Sequence, residues 1–284
     1  MFEEHRAHLM RVAYHLMGTV SEAEDAVQEA YLRLVRADAT QIGDPRSWLT
    51  TTLTRICLDQ LTSARARREQ YVGPWLPEPV VRPAAVLGPE DRLTLDDSVS
   101  LAMLVVLESL SPAERIVFVL HEAFGFAHAE IARIVGRQET SCRQLLARAR
   151  RHVHQRAPRF TPDRDEHRTV VTAFLRAASE GDLEALAGVL DPRVVLRSDG
   201  GGHISAARRP VTGARNVARL LLGVAARDRA DGRMTEVNGM PGAVFTRDGR
   251  VVGVMAFTVF ADRINEIDFV VNPEKLRHLD GGHA

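Results

Sequence analysis

Arginine and glutamine side chains can hydrogen-bond the edges of DNA bases, and arginine also neutralises phosphate. From Arg137 to Arg159 seven arginines stand against a single acid, Glu139. In helical register Thr140, Arg143, Gln144, Arg148 and Arg151 share one side, and Cys142, Leu145, Leu146 and Ala149 share the other. A solvated basic face would use the same residues. Here the basic side coincides with the outward side of a helix-turn-helix, which points to DNA contact. Other chemistries are weaker. Asp199, His203, Glu266 and Asp268 could serve as acid-base groups, but nothing in their spacing brings two of them to one substrate, and Asp199 begins a glycine run suited to a surface loop. His5 and His8 could share a helical face, yet no third metal ligand is suggested. No Cys/His cluster, phosphate loop or nucleophile motif occurs, so neither an enzyme nor a metal or cofactor is expected.

The elements that must hold those arginines can be read backwards from them. Ser111-Pro112-Ala113-Glu114 is a capping box with proline at the first helical position, so a helix starts there. Ile116, Val117, Val119, Leu120, Ala123 and Phe124 fill one of its faces, and Gly125 can end it. A short helix carries Ile131, Ala132, Ile134 and Val135, Gly136 supplies the turn, and the basic helix begins near Glu139. Gln138, just before it, is a poor cap.

The chain has 284 residues, enough for two domains or three small ones, and its 37 basic residues balance 37 acidic ones. A neutral total with local segregation suggests a protein that meets DNA with one surface and something else with another. Two separate cysteines, Cys57 and Cys142, argue for a reducing compartment, and the longest apolar run, Leu101 to Leu107, is far too short to cross a bilayer. A cytoplasmic protein with no membrane partner is expected.

Before the helix-turn-helix, Leu9, Val12, Ala13, Leu16 and Met17 mark a first helix that ends at Gly18. Ser21 and Glu24 form a second capping box, opening an acidic helix that runs through Gln28 and Glu29 to Leu34. Ser47 can cap a third helix carrying Trp48, Leu49, Leu53, Ile56 and Leu61, and this one runs into Arg65, Arg67 and Arg68. From Gln70 to Asp97, Gly73-Pro74-Trp75-Leu76-Pro77-Glu78-Pro79 and Pro83 forbid regular helix. A bare linker seldom places a Trp and a Leu among prolines, so Tyr71, Trp75 and Leu76 are expected to dock on another part of the chain or on a partner. After Pro162 two helices, a strand near Val194 to Arg197 and a third helix are followed by four strand-like runs, with a hairpin signal at Asp248-Gly249. Helices first and a curled antiparallel sheet afterwards give an α+β cone.

Asp25-x-x-Gln28-Glu29-x-x-Leu32-Arg33, Trp48-Leu49, Arg55-Ile56-Cys57-Leu58-Asp59-x-Leu61, Glu130-Ile131-Ala132 and the run Cys142 to Arg150 together resemble an extracytoplasmic-function sigma factor over residues 1 to about 157. The resemblance implies two all-α domains, residues 1–70 and 97–157, joined by a proline-rich linker over 71–96. The first domain would bind the clamp helices of core RNA polymerase through Asp25, Gln28, Glu29, Leu32 and Arg33. Arg55 and Arg65 would meet the minus-ten promoter strand, although many relatives carry Asn at the position of Arg55. Thr140, Arg143, Gln144, Arg148 and Arg151 would meet the minus-thirty-five element of promoter DNA.

Residues 163–284 resemble a SnoaL-like domain of the nuclear-transport-factor-like superfamily, usually a hollow cone. Sigma factors with this extension, the SigJ type, carry motifs matched here by Tyr71 to Pro79, by Asp199-Gly200-Gly201-Gly202-His203 and by Asn272-Pro273-Glu274-Lys275-Leu276. His203 replaces the usual Lys. The glycines permit either a plain turn or a close approach of a partner or ligand. The extension is expected to pack against the sigma domains and the linker and to restrain the factor in place of a separate anti-sigma protein. An unknown small ligand is a possible further partner. The alternative is a helix-turn-helix regulator whose C-terminal domain senses a small ligand. The acidic helix and the Arg55 helix have no task in that case.

Overall fold

In the computed structural model the described residues are 2–38, 42–68, 71–82, 99–156 and 163–282. They form two compact units, one built from 1–70 with 104–157 and the other from 71–103 with 158–284.

In the first unit α1 (Glu3–Met17) stops where Gly18 adopts a left-handed conformation, its N–H donating to the Tyr14 carbonyl. Helix α2 (Val20–Arg36) follows after one extended residue, Thr19. The expected Ser21/Glu24 box lies two residues too far along: Thr19 is the N-cap and its hydroxyl donates to Glu22 at 2.8 Å, with the same three-residue spacing. Helix α3 (Pro45–Arg68) likewise begins earlier than Ser47. The Asp44 carboxylate accepts from the Arg46 N–H at 3.1 Å, and Pro45 occupies the first turn, where its missing N–H costs nothing. Leu9, Leu16, Met17, Leu49 and Leu53 are fully buried among these three helices.

The second group of helices comprises α4 (Leu101–Leu107), α5 (Pro112–Glu122), α6 (His128–Val135) and α7 (Glu139–Arg156). The Ser111/Glu114 box closes in both directions at the start of α5. Gly136 ends α6 with φ 65°, and the Arg137 N–H donates to the Ala132 carbonyl, giving the tight turn before α7. The two groups pack together: α5 lies against α1 and α3, and α6 lies against α3. Phe124, just beyond α5, sits 5.7 Å from the His8 ring and 5.3 Å from the His15 ring.

The second unit is an α+β cone. Helices α8 (Arg164–Glu180), α9 (Leu183–Val189) and α10 (Ala214–Asp228) pack on a curled sheet. Its strands are β1 (Val81–Arg82), β2 (Leu190–Asp199), β3 (Val211–Thr212), β4 (Asp231–Val237), β5 (Met240–Arg247), β6 (Arg250–Phe260) and β7 (Arg263–Val270), in the order β1-β4-β5-β6-β7-β2-β3. Strands β4 to β7 form a meander joined by two-residue turns at Asn238-Gly239, Asp248-Gly249 and Ala261-Asp262, every one with positive φ. The sheet is mixed rather than antiparallel throughout, because β2 pairs parallel with β7. Helices α9 and α10 lie against β2, so the chain returns to β7 only after a long excursion. Phe174, Leu196, Leu221, Phe257 and Ile267 fill the core between helices and sheet. After β7 come a one-turn helix, α11 (Pro273–Leu276), and a 3₁₀ segment over Arg277–Gly282.

Candidate nucleic-acid interface and linker clamp

Helix α7 presents the residues expected on its outer side. Thr140, Arg143, Gln144, Arg148 and Arg151 are exposed, while Cys142, Leu145, Leu146 and Ala149 are buried. Two arginines of α7 form ion pairs within the protein, and Arg151 donates to the Ala147 carbonyl at 3.4 Å. Arg143 pairs with Glu139 at 2.5 Å, both largely exposed, and Arg150 reaches Glu122 of α5 at 2.6 Å. An exposed pair of this kind is worth about 0.2–1 kcal/mol, so Arg143 can leave Glu139 for a base edge at small cost.

On α2, Asp25, Gln28, Leu32 and Arg33 are exposed and Glu29 is half-buried, with Arg33 bonded to Glu29 at 2.9 Å. The composition of this face was only half visible in the sequence. Tyr31, Leu32 and Val35 are 43, 38 and 64 % exposed, an apolar patch beside acids on a folded helix. Apolar residues at adjacent and i+4 positions ordinarily argue for burial, which conceals such a patch from sequence analysis.

Arg55 is placed differently from a free strand-binding residue. Its Nε donates to the Ile134 carbonyl at 3.0 Å and its Nη2 to the Arg133 carbonyl at 3.2 Å, so it caps the negative end of α6. Contact with a DNA strand requires those bonds to open. Arg65 lies near the end of α3, and its side chain is outside the described residues. Trp48 is half-buried.

The linker motif and the two C-terminal motifs come together at one place. Asp199 closes β2 with its carboxylate fully buried. Its Oδ1 accepts from the Tyr71 hydroxyl at 2.5 Å and the Gly201 N–H at 3.0 Å. Its Oδ2 accepts from the Leu76 N–H at 2.9 Å and from Lys275 Nζ at 2.8 Å. Lys275 also donates to the Leu76 carbonyl, and its ammonium lies 3.9 Å from the centre of the Trp75 ring. The chemistry explains the residue. Lys275 is the only lysine in the sequence, and an ammonium is a compact cation with three donors, where the broad guanidinium fork would not fit three such close partners. Asn272 caps α11 through the Glu274 N–H at 3.0 Å and donates to the Tyr71 hydroxyl at 2.9 Å. Burial and the adjacent Asp199 carboxylate push the Tyr71 phenol well above its ordinary range, so it stays a donor.

Of the two roles open to the glycines, close approach is the one seen. A Cβ on Gly201, at φ 65°, would lie 2.5 Å from the Asn272 side chain, and one on Gly200 would lie 2.4 Å from the Ile204 carbonyl. His203 is exposed and stands 3.7 Å from Glu274. Asn238, which the sequence did not single out, extends the linker's hold. It accepts from the Val80 N–H at 3.0 Å through its side chain, returns its own N–H to the Val80 carbonyl at 2.8 Å, and donates to the Val99 carbonyl at 3.2 Å. Its Asn-Gly turn was a readable hairpin signal. The expected acid-base groups disperse. Glu266 and Asp268 both bind Arg197, at 2.5 and 2.7 Å, while Asp199 belongs to the linker clamp. Burial raises the Asp268 carboxyl, with Arg197 opposing it.

The cone encloses a cavity of about 450 Å³, and none of Asp199, His203, Glu266 or Asp268 lines it. No group of three or more His, Cys, Asp or Glu able to hold a metal occurs among the described residues, and none of their helices is long and apolar enough to cross a membrane.

Residues 1–67 match the family described as Sigma-70 region 2, and residues 100–153 match Sigma-70, region 4. The ECF RNA polymerase sigma factor SigJ of Mycobacterium tuberculosis strain H37Rv is 41 % identical over 94 % of this chain and 86 % of its own. SigI of Mycobacterium tuberculosis strain CDC 1551, a probable ECF RNA polymerase sigma factor, is 39 % identical over 97 % of this chain and 93 % of its own. The crystal structure of Mycobacterium tuberculosis SigJ superposes with a TM-score of 0.78 at 38 % identity, covering 97 % of both chains. With both sigma regions matched and full-length relatives at this identity, the chain belongs to the extracytoplasmic-function sigma factors of RNA polymerase.

Proposed function

We propose that this sigma factor is held in a restrained state by its own C-terminal domain, through the clamp that Asp199 and Lys275 close on the linker. As a sigma factor it binds core RNA polymerase and directs promoter-specific initiation. The finer assignments are as follows. The exposed face of α2, with Asp25, Gln28, Glu29, Leu32 and Arg33 extended by Tyr31 and Val35, docks on the polymerase clamp helices. Thr140, Arg143, Gln144 and Arg148 read the minus-thirty-five element, with Arg151 on phosphate. Arg55 and Arg65 serve the minus-ten strand after Arg55 leaves the carbonyls of α6.

The observation that carries the regulatory part is one hydrogen-bonded cluster in which Leu76, Asp199, Asn272 and Lys275 are buried and Tyr71 is half-buried. By resemblance to the family, the connector lies along the polymerase channels used by template and nascent RNA. A connector whose Leu76 amide and carbonyl are both bonded to the cone cannot follow that path until it is released. The Arg55 contact on α6 supports the same direction, since it occupies a group assigned to promoter DNA. The factor acts in the cytoplasm, where polymerase and promoter are.

The test is transcription with purified core polymerase, comparing the full chain with a fragment ending near Arg159. Initiation at defined promoters by both, with stronger initiation by the fragment, is expected. If neither directs initiation while the full chain still binds specific DNA alone, a conventional helix-turn-helix regulator becomes the better account.

A further inference from the structure

The 450 Å³ cavity of the cone has a size typical of small-ligand sites, and its wall divides by polarity. Phe174, Leu221, Met255 and Phe269 form a buried apolar interior. The charged residues lining it, Arg227, Asp228, Arg247, Arg250 and Asp280, are exposed or half-exposed and so lie at its rim.

The rim charges do not cancel. Arg227 binds Asp228 through both carboxylate oxygens, at 2.7 and 3.0 Å. The Asp280 carboxylate accepts from the Val251 N–H at 3.1 Å. With Asp280 still charged and Arg247 close enough to help lower the Asp228 carboxyl, the rim keeps an excess of positive charge, and Arg247 and Arg250 are direct cross-strand partners on the β5–β6 hairpin, so their side chains leave the same face of the sheet. Like charges directly opposite one another repel, and an anion held between them at the cavity mouth would relieve that repulsion through charged hydrogen bonds.

Two walls of the cavity are also parts of the linker clamp. Pro273 and Leu276 flank Lys275 on α11 and line the cavity. Ile204 and Ser205 line it as well, and the same loop borders a second hollow of about 260 Å³ whose far side is Val72 and Gly73 of the linker.

We propose that this cavity binds an amphiphilic carboxylate, an acyl or aryl acid with its apolar body among the phenylalanines and its carboxylate on Arg247 and Arg250, and that its occupancy strengthens the hold on the linker. A ligand that fits the walls as they stand with the clamp closed stabilises the closed arrangement by linkage. The proposal deepens the regulatory reading, but its tests need no polymerase, so its failure and the failure of that reading are separately visible.

The probe is decanoate, titrated calorimetrically into the full chain, with decanol and decyltrimethylammonium as neutral and cationic counterparts. Saturable 1:1 binding is expected for decanoate. It should weaken about tenfold or more in the Arg247→Ala/Arg250→Ala double variant, as loss of charged hydrogen bonds requires, and disappear in Ala225→Trp or Ala178→Trp, each checked for an unchanged melting profile. No saturable binding, equal affinity for decanol, or binding indifferent to the tryptophan variants overturns the site. The coupling is read by acetylation of Lys275 with an amine-directed reagent. Saturating decanoate should slow it several-fold, and an unchanged or faster rate overturns the coupling.

Discussion

Lys275 shows how far one side chain can be explained by its contacts. Every other cation of the chain is arginine, and the single lysine stands where a point charge with three donors meets a buried carboxylate, a backbone carbonyl and an indole face. Removing one partner of such a pair leaves the other buried and uncompensated, a loss of about 3–5 kcal/mol. Because no other lysine exists, amine-directed acetylation followed by mass spectrometry reads this site without background beyond the N-terminus. Lys275 should be protected in the full chain and become reactive in Asp199→Asn; equal reactivity in both would show that the clamp is open in solution. The arginines of α7 separate by a different criterion. Arg143→Ala or Arg148→Ala should cost about 1–3 kcal/mol at particular promoter positions, whereas Arg151→Ala should weaken binding evenly across sequences. Equal losses on every sequence would assign all three to phosphate.

At the scale of elements, the glycine turn after β2 sets how closely α11 can approach. Gly201→Ala places a Cβ 2.5 Å from Asn272 at φ 65° and should cost about 1–3 kcal/mol, seen as a lower melting temperature of the full chain together with faster Lys275 acetylation. Two histidines, His167 buried and His8 half-buried, tie helix packing to pH. Burial, aided by Arg46 and Arg11, lowers the His8 imidazole to about 4, and burial lowers His167 on α8 to about 4, against an ordinary value of 6.5. The unfolded chain therefore takes up these protons first. Their contribution to stability is complete above about pH 6.5 and is lost as pH falls toward 4. Melting temperature should decline over that window, and His167→Leu should flatten the decline.

The helices of the first unit were legible because apolar spacing and caps are local, and the starts of α2 and α3 lay only two and three residues before the expected Ser21 and Ser47, at Thr19 and at the Asp44 cap. The parallel β2–β7 pair was not legible, because no local pattern records which strands meet across a long excursion. The linker's docking was visible in Trp75 and Leu76, which have no reason to sit among prolines unless covered. The bonds of Arg55 to α6 were not, since they depend on how two helical groups pack.

For the whole molecule, a net charge of zero conceals a basic α7, an acidic and apolar α2 face and a cone that grips the connector between the sigma regions. The proposed restraint would be part of the chain, joining a few buried polar contacts to the buried linker residues Leu76, Pro77 and Pro79. The most direct measurement is run-off transcription with purified core polymerase, comparing the full chain with Lys275→Met and with a chain ending at Val271. Several-fold more transcript from both variants, with the Lys275→Met protein still melting cooperatively, is the predicted result. Equal or lower transcription from folded variants would contradict a restraining clamp.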